Sequence, residues 1–261
     1  MPVIDSHGCA IDVEVAGPDH APVLMLSSSL GTTKHMWDPQ MAAFTKEYRV
    51  VRYDRRGHGK SGVPKGPYNM EMLARDALAI MDALKLDKVN WLGLSMGGME
   101  GMWLGAHAGD RFDKLILSNT SSYYADKTMW HTRIDAISKA GSVAAIADRV
   151  INAWLTKDFQ TAHPDVTARM KEMMIATPVE GYLGCAAAVR DMDHREILKD
   201  IKVPTLIIAG AKDPATNVAA AEFIRDRIAG SKLAIVEAAH IANVEVPDVY
   251  AKTVLDFLGS K

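Results

Sequence analysis

Short β-branched and aliphatic runs recur along the first half of the chain, separated by stretches whose apolar residues return at helical spacing. This alternation limits the fold more than any other feature. Val23–Leu26, Tyr48–Tyr53, Val89–Leu94 and Leu115–Leu117 are mostly apolar, as strands buried on both faces must be. Between the second and third, Leu73, Ala77, Ile80, Met81 and Leu84 repeat at helical intervals behind Asn69, a side chain suited to cap a helix. Strand–helix–strand alternation predicts a parallel sheet with right-handed crossovers and helices on both faces. Ala10–Val15 differs: it alternates apolar and polar residues, which predicts a half-buried strand at a sheet edge.

The pattern then breaks. From 122 to 195 there are helical stretches (Met129–Ala140, Val143–Leu155, Val166–Ala176, Tyr182–Arg190) and no clear strand. Strands resume at Pro204–Ala209 and Leu233–Val236, with helices from Val218 and over Pro247–Leu258. The simplest organisation is an α/β core made of 1–121 and 196–261, with 122–195 inserted as a helical cap. At roughly 150 residues per domain, a length of 261 suits a core with one insertion.

Composition removes whole classes of function. The chain is 48% hydrophobic and 24% charged, which excludes disorder and disulfide scaffolds. A net charge of −2 gives no field for nucleic acid or an anionic membrane surface. Cys9 and Cys185 stand in unrelated contexts, as in a reducing compartment. Met1-Pro2-Val3-Ile4-Asp5 lacks the basic and apolar stretches of a secretion signal, and no apolar run nears the ~18 residues of a membrane span. A cytoplasmic protein is expected; nothing in the residues favours a monomer over a homo-oligomer.

Gly93-Leu94-Ser95-Met96-Gly97 carries the chemistry. It matches G-x-S-x-G in the required setting, with a buried strand before it and a helix after it. The serine of such a turn sits on strained backbone, and a Cβ two residues away on either side would clash. The turn lifts the hydroxyl clear of the sheet and aims the free N–H groups of a helix N-terminus at any anion formed there. The rival reading is a glycine-rich turn used only for packing.

A serine nucleophile needs a base, and the base needs an orienting carboxylate. In this architecture they follow the serine in the order acid, then histidine, each beyond a later strand. Asp213 lies just past the strand ending at Ala209, and His240 just past the one ending at Val236. The other eight histidines (7, 20, 35, 58, 107, 131, 163 and 194) read as structural. For the oxyanion, the N–H of Met96 is one candidate donor. A second is expected from the loop after Val23–Leu26, where Leu30 in Ser27-Ser28-Ser29-Leu30-Gly31 is placed for it.

Two apparent nucleotide motifs fail. Gly57-His58-Gly59-Lys60-Ser61-Gly62 spells G-x-G-x-x-G, yet Pro64 and Pro67 follow, so no helix opens there to receive a pyrophosphate. Gly59-Lys60-Ser61 ends like a P-loop, but Asp54 stands where the earlier glycine belongs. No His/Cys cluster has metal spacing, and the fifteen methionines read as core filler. Neither cofactor nor metal is expected.

Taken together, these residues resemble the α/β-hydrolase family over essentially the whole chain. Arg52-Tyr53-Asp54-Arg55-Arg56-Gly57-His58-Gly59-Lys60-Ser61 resembles its D-x-R-G-x-G-x-S loop. The resemblance implies a mostly parallel eight-stranded sheet flanked by helices, with an inserted helical cap, and Ser95, Asp213 and His240 as triad. More narrowly, several strings resemble the 3-oxoadipate enol-lactonases of bacterial aromatic degradation. They are Ser28-Ser29-Leu30-Gly31-Thr32 with Met36-Trp37, Gly66-Pro67-Tyr68, Gly101-Met102-Trp103, Ala188-Val189-Arg190-Asp191 and Asp213-Pro214-Ala215-Thr216. One departure stands out: Ser28-Ser29 occupies the place where the family often has His-Gly or Asn-Ser, which puts side-chain support of the oxyanion loop in question.

The implied substrate is a small unsaturated lactone bearing a carboxylate. Residues 122–195 hold nine basic and nine acidic side chains, so the cap has no overall field for an acid and one placed cation must serve. Arg133 stands three residues after Trp130, on the same helix face, so its guanidinium would hold the carboxylate while the indole walls an apolar pocket. Trp154 is a further candidate for that wall. The alternative for Arg133 is a solvated surface arginine. The reading is therefore a serine hydrolase opening an enol-lactone through an acyl-enzyme on Ser95. The rivals are a carboxylesterase or C–C bond hydrolase with the same triad, and a small-ligand receptor without turnover.

Overall fold

A computed structural model describes residues 3–260. Eight strands form one sheet: β1 (Val3–Ser6), β2 (Cys9–Ala16), β3 (Val23–Ser27), β4 (Arg49–Tyr53), β5 (Val89–Leu94), β6 (Phe112–Ser118), β7 (Thr205–Gly210) and β8 (Lys232–Val236), in the order 1-2-4-3-5-6-7-8. β2 runs antiparallel to both its neighbours, and β4 to β8 and β3 run parallel. β3, β5, β6 and β7 are almost wholly buried, which is why their sequences carry so few polar residues.

Handedness assigns the helices to faces. The step from β3 to β4 through α1 (Asp38–Phe44) moves one way along the sheet. The steps through α2 (Met70–Ala83) and α3 (Met96–His107) move the other way. Right-handed crossovers therefore put α1 on one face and the packed pair α2 and α3 on the opposite one. The strand order reverses at β3, flanked by β4 and β5, and such a switch leaves a crevice at the carboxyl ends of the strands there.

Between β6 and β7 the chain runs through α4 (Thr128–Ala140), α5 (Ala147–Trp154), α6 (Lys157–Ala162), α7 (Pro164–Ile175) and α8 (Val179–Asp191). The two ends of this helical insertion meet: Tyr123 bridges Asp193, and the His194 N–H donates to the Ser122 carbonyl at 2.8 Å. α9 (Val218–Arg225), α10 (Ala242–Glu245) and α11 (Pro247–Gly259) complete the chain. Among the described residues no helix is long and apolar enough to cross a membrane.

Two sequence expectations need correction. Ala10–Val15 is not at the edge, because the four-residue β1 pairs with it and takes that place. Val143–Leu155 is not one helix: Val143–Ile146 is a 3-10 turn, and Ile146 at φ −120°, ψ 0° breaks the ladder before α5. The Asn69 cap is present, its side chain accepting the Met72 N–H at 2.8 Å.

Candidate active site

Ser95 sits between β5 and α3 at φ 57°, ψ −112°, a region that non-glycine residues rarely occupy. The glycines on either side permit it. A Cβ on Gly93 would lie 2.0 Å from the Gly97 carbonyl oxygen, and one on Gly97 would lie 2.3 Å from that of Ser27. The turn is locked from below, since the Ser95 N–H donates to the Ser118 carbonyl (2.8 Å) and the Thr120 hydroxyl to the Ser95 carbonyl (2.7 Å).

Sheet register brings the other two residues to this turn. Leu94 pairs with Ser118, Ser118 with Ile208, and Gly210 with Val236, so the carboxyl ends of β5, β6, β7 and β8 stand side by side. Asp213 follows β7, and His240 follows β8. His240 Nε2 is 2.9 Å from Ser95 Oγ, and His240 Nδ1 is 2.8 Å from Asp213 Oδ2. All three residues are buried.

Asp213 is held by more than the imidazole. Its Oδ1 accepts the N–H groups of Ala215 (2.8 Å) and Thr216 (3.0 Å). Its Oδ2 also accepts from the Thr216 hydroxyl (2.7 Å) and Asn119 Nδ2 (3.2 Å). Burial alone would raise its pKa, but the charge and hydrogen bond of His240 and the two bonds from Thr216 outweigh it and hold the carboxyl at about 2. Asn119, at φ 44°, also donates to the Ala239 carbonyl (3.1 Å), tying the tip of β6 to the histidine loop.

The loop after β3 faces the turn from the other side. The Ser29 N–H points at Met36 Sδ (3.3 Å), and the Gly31 N–H donates to His58 Nε2 (3.0 Å). Among the described residues the N–H groups of Leu30, between them, and of Met96, at the start of α3, find no partner in the chain. These are the two donors expected for an oxyanion. Buried ionic contacts fix the loop to the nucleophile helix: Glu100 on α3 accepts from Arg55 Nη1 (2.8 Å) and the Ser27 hydroxyl (2.5 Å), and Arg55 Nη2 donates to the Ser28 carbonyl. Breaking such a pair from one side typically costs about 3–5 kcal/mol, because a buried charge is left alone. Burial, with the Arg55 charge beside it, pushes the His58 imidazole down to about 3, so it stays a neutral acceptor for Gly31.

Helices α4 and α5 close the site from above. Leu30, Ser95, His240, Trp130, Arg133 and Trp154 line one cavity of about 40 Å3, which also contacts Ser29, Tyr124, Met129, Val150, Ala153 and Ala215. All the residues singled out from the sequence for substrate contact therefore face the serine. The Arg133 guanidinium lies 4.6 Å from the Trp130 ring centroid and 3.4 Å from the Tyr182 hydroxyl, and no carboxylate pairs with it among the described residues. The buried Trp130 Nε1 is also without a partner. Among the described residues no three His, Cys, Asp or Glu side chains cluster as a metal would need.

Sequence reasoning missed Tyr124, Asn119, Arg55, Glu100 and the part played by His58. Tyr124 and Asn119 had a usable signal, lying just beyond a parallel strand next to the nucleophile's own. Arg55 was marked only as part of the D-x-R-G-x-G-x-S loop, for which the resemblance implied a structural role, and its pairing with Glu100 had no signal, since nothing local links residues 45 positions apart.

The geometry has close relatives. A family model described as alpha/beta hydrolase fold matches residues 22–247. The chain is 36% identical to 3-oxoadipate enol-lactonase 2 of Acinetobacter baylyi, covering 92% of this chain and 90% of the relative. It is 33% identical to 3-oxoadipate enol-lactonase 1 of the same organism, over 99% and 96%. The crystal structure of the enol-lactonase from Burkholderia xenovorans LB400 superimposes with a TM-score of 0.97 at 39% identity, covering 99% of this chain and all of that one. The chain belongs to the α/β-hydrolase family, and it is a hydrolase.

Proposed function

We propose that this α/β-hydrolase opens 3-oxoadipate enol-lactone to 3-oxoadipate, in the β-ketoadipate route of aromatic degradation, through an acyl-enzyme on Ser95. His240 takes the serine proton as the hydroxyl attacks the lactone carbonyl, while Asp213 holds the imidazole in the tautomer that accepts it. The N–H groups of Leu30 and Met96 meet the negative charge that develops on the carbonyl oxygen. Collapse breaks the ring C–O bond and expels an enolate, which takes a proton and becomes the ketone. Water, deprotonated by His240, then attacks the ester on Ser95 and releases the second carboxylate. Arg133 receives the carboxylate the lactone already carries, with Trp130 and Trp154 as apolar walls. Residues 122–195 act as a cap that shuts this reaction away from solvent. The buried, unpaired thiols of Cys9 and Cys185 fit a cytoplasmic setting.

One observation supports the reading above the rest: an unbroken Ser95–His240–Asp213 row opens on a cavity whose arginine has no acid of its own among the described residues. Steady-state rates test it. With purified protein, kcat/KM for the enol-lactone is expected to exceed that for a neutral aryl ester about 10- to 100-fold, the worth of one well-placed charge-assisted contact. Equal or reversed preference would replace the lactone by a simple ester. Ser95→Ala is expected to abolish turnover and keep the fold; a protein that binds but never hydrolyses either compound is a receptor.

A further inference from the structure

Beside the reaction cavity lies a second, larger space. A groove of about 440 Å3 runs along its flank, walled by Tyr123, Asp126, Ala219, Ala220 and Phe223. The reaction cavity holds only about 40 Å3. At about 10–15 Å3 per water, that admits a few solvent molecules and no ester or lactone, so a wall has to move before any substrate enters. Tyr124 and Ala215 line both spaces.

Ala215 cannot be the moving part. Its N–H is tied to Asp213 Oδ1 at 2.8 Å, and a methyl group has no rotamer to change. Tyr124 differs on each count. It is half-buried, its ring rests edge-on against Trp130 at 5.6 Å between centroids, and its hydroxyl forms no hydrogen bond among the described residues. The backbone before it is anchored by the Tyr123–Asp193 bridge, and two residues after it the Asp126 carboxylate accepts the Thr128 N–H at 2.8 Å at the start of α4. An anchored backbone carrying a side chain without polar ties is suited to a rotamer swing that leaves the loop in place.

We infer that Tyr124 is the gate between the groove and the reaction cavity, and that it sets the longest substrate the enzyme accepts. This rests on the serine-hydrolase reading above. With the gate across the opening, only compact esters and lactones fit at Ser95; with it absent, the groove takes the far end of a longer one. The groove's chemistry says what kind of end. The rings of Tyr123 and Phe223, 5.3 Å apart, and the methyl groups of Ala219 and Ala220 make it largely apolar. Asp126 is the charged side chain in its lining, and the guanidiniums of Arg195 and Arg227 lie 4.4 and 3.4 Å from the centroids of the Tyr123 and Phe223 rings, so neither sign of charge is singled out there. The occupant is a neutral alkyl chain, unlike the acid that Arg133 is suited to hold.

Two ester series test the gate, one of p-nitrophenyl esters from acetyl to octanoyl and one of butyrate esters of alcohols from methyl to octyl. The native protein should favour the shortest members of both. Tyr124→Ala should raise the long-to-short ratio of kcat/KM in at least one series by more than about tenfold, since each methylene buried in the groove adds roughly a factor of four. Tyr124→Phe should keep the native profile, because the ring and not the hydroxyl closes the passage. Adding Ala219→Trp to Tyr124→Ala should refill the groove from outside and remove the gain. An unchanged ratio in both series, or a gain that survives the tryptophan, overturns the gate. If neither these esters nor the enol-lactone is hydrolysed, the serine reading fails, and binding then judges the gate; if only the lactone is turned over, binding judges the gate with the serine reading intact. Octanoate should raise the Tm of Tyr124→Ala more than that of the native protein, and equal shifts overturn it.

Discussion

The two walls of the reaction cavity are built on different principles. The lower wall, at the carboxyl ends of the strands, is over-determined. Ser95 is fixed by two backbone contacts, Asp213 accepts five hydrogen bonds, and the loop carrying Leu30 is tied to α3 through Arg55 and Glu100. The upper wall is barely determined. Arg133 has one long contact to Tyr182, Trp130 leaves its N–H unpaired, and Tyr124 packs by its ring alone. Groups that stabilise a transition state must be held before the reaction begins, because reorganising them later adds to the barrier. Groups that receive a substrate must be free to exchange partners with it. On the proposed reading, rigidity below and unsatisfied polarity above answer these two needs.

The sharpest way to break that contrast is to keep the shape of the lower wall and remove its charge. Asp213→Asn preserves volume but offers an amide where the imidazole needs an acceptor, so the ring loses its oriented tautomer. The expected loss in kcat is about 10^4-fold, with KM within a fewfold of native. A loss below about tenfold, measured on folded protein, would mean that His240 does not depend on Asp213.

The upper wall should respond in binding instead. Arg133→Met keeps the stem against Trp130 and removes the guanidinium. The ratio of kcat/KM for the acidic lactone to that for a neutral ester is expected to fall about 10- to 100-fold, the worth of one charge-assisted hydrogen bond. An unchanged ratio returns Arg133 to the solvent and leaves the substrate's acid without its proposed partner.

The loop that carries Leu30, itself part of the lower wall, should respond more weakly than either. His58 touches the Gly31 N–H and, as the structure stands, nothing in the cavity. His58→Leu is expected to lower kcat by up to about tenfold, the worth of one neutral hydrogen bond, with KM unchanged. His58→Gln, whose side-chain oxygen can accept in place of Nε2, should recover part of the loss. A purely structural histidine would instead lower Tm in both variants with no selective effect on kcat.

The same contrast explains what was legible in the sequence. Ser95, Asp213 and His240 could be picked out because each is a demanding residue type just beyond a strand, the first two beyond buried, strongly apolar ones and His240 beyond the part-exposed edge strand β8. Gly93 and Gly97 announced the turn for a steric reason that applies before any tertiary contact exists. The struts below were hidden, since Arg55, His58 and Glu100 act through contacts that only the folded sheet creates. Short elements were hidden too. β1 has four residues and α6 six, too few for a periodicity to show, and missing β1 made β2 look like an edge. Tyr124 has no motif, because a gate needs bulk and freedom, which many residue types supply.

Acid stability separates the lower wall from the root of the helical insertion by a smaller effect. His58 lies under the oxyanion loop and is held down to about 3 by burial and the Arg55 charge. His194 lies where the insertion rejoins the core and is held down to about 4 by burial and by His107. Both start from an ordinary value of 6.5. Below that pH the unfolded chain binds protons that the folded one refuses, so stability rises with pH in this window and falls on acidification. The loss approaches about 1.4 kcal/mol per pH unit for each histidine and stops for His194 near pH 4 and for His58 near pH 3. Asp213 contributes in a different range: its depressed pKa stabilises the fold above an ordinary value of 3.8, and that contribution goes only as the pH falls through about 2. Between pH 6.5 and 4 the two histidines lower stability on acidification, while Glu100, whose carboxyl burial pushes up, works in the opposite direction. Thermal unfolding at pH 7, 6, 5 and 4.5 should show Tm falling steadily in the native protein and less steeply in both His58→Gln and His194→Asn. Three parallel curves would mean that neither imidazole is kept neutral by its burial, and His58 would then lose the acceptor role that holds Gly31.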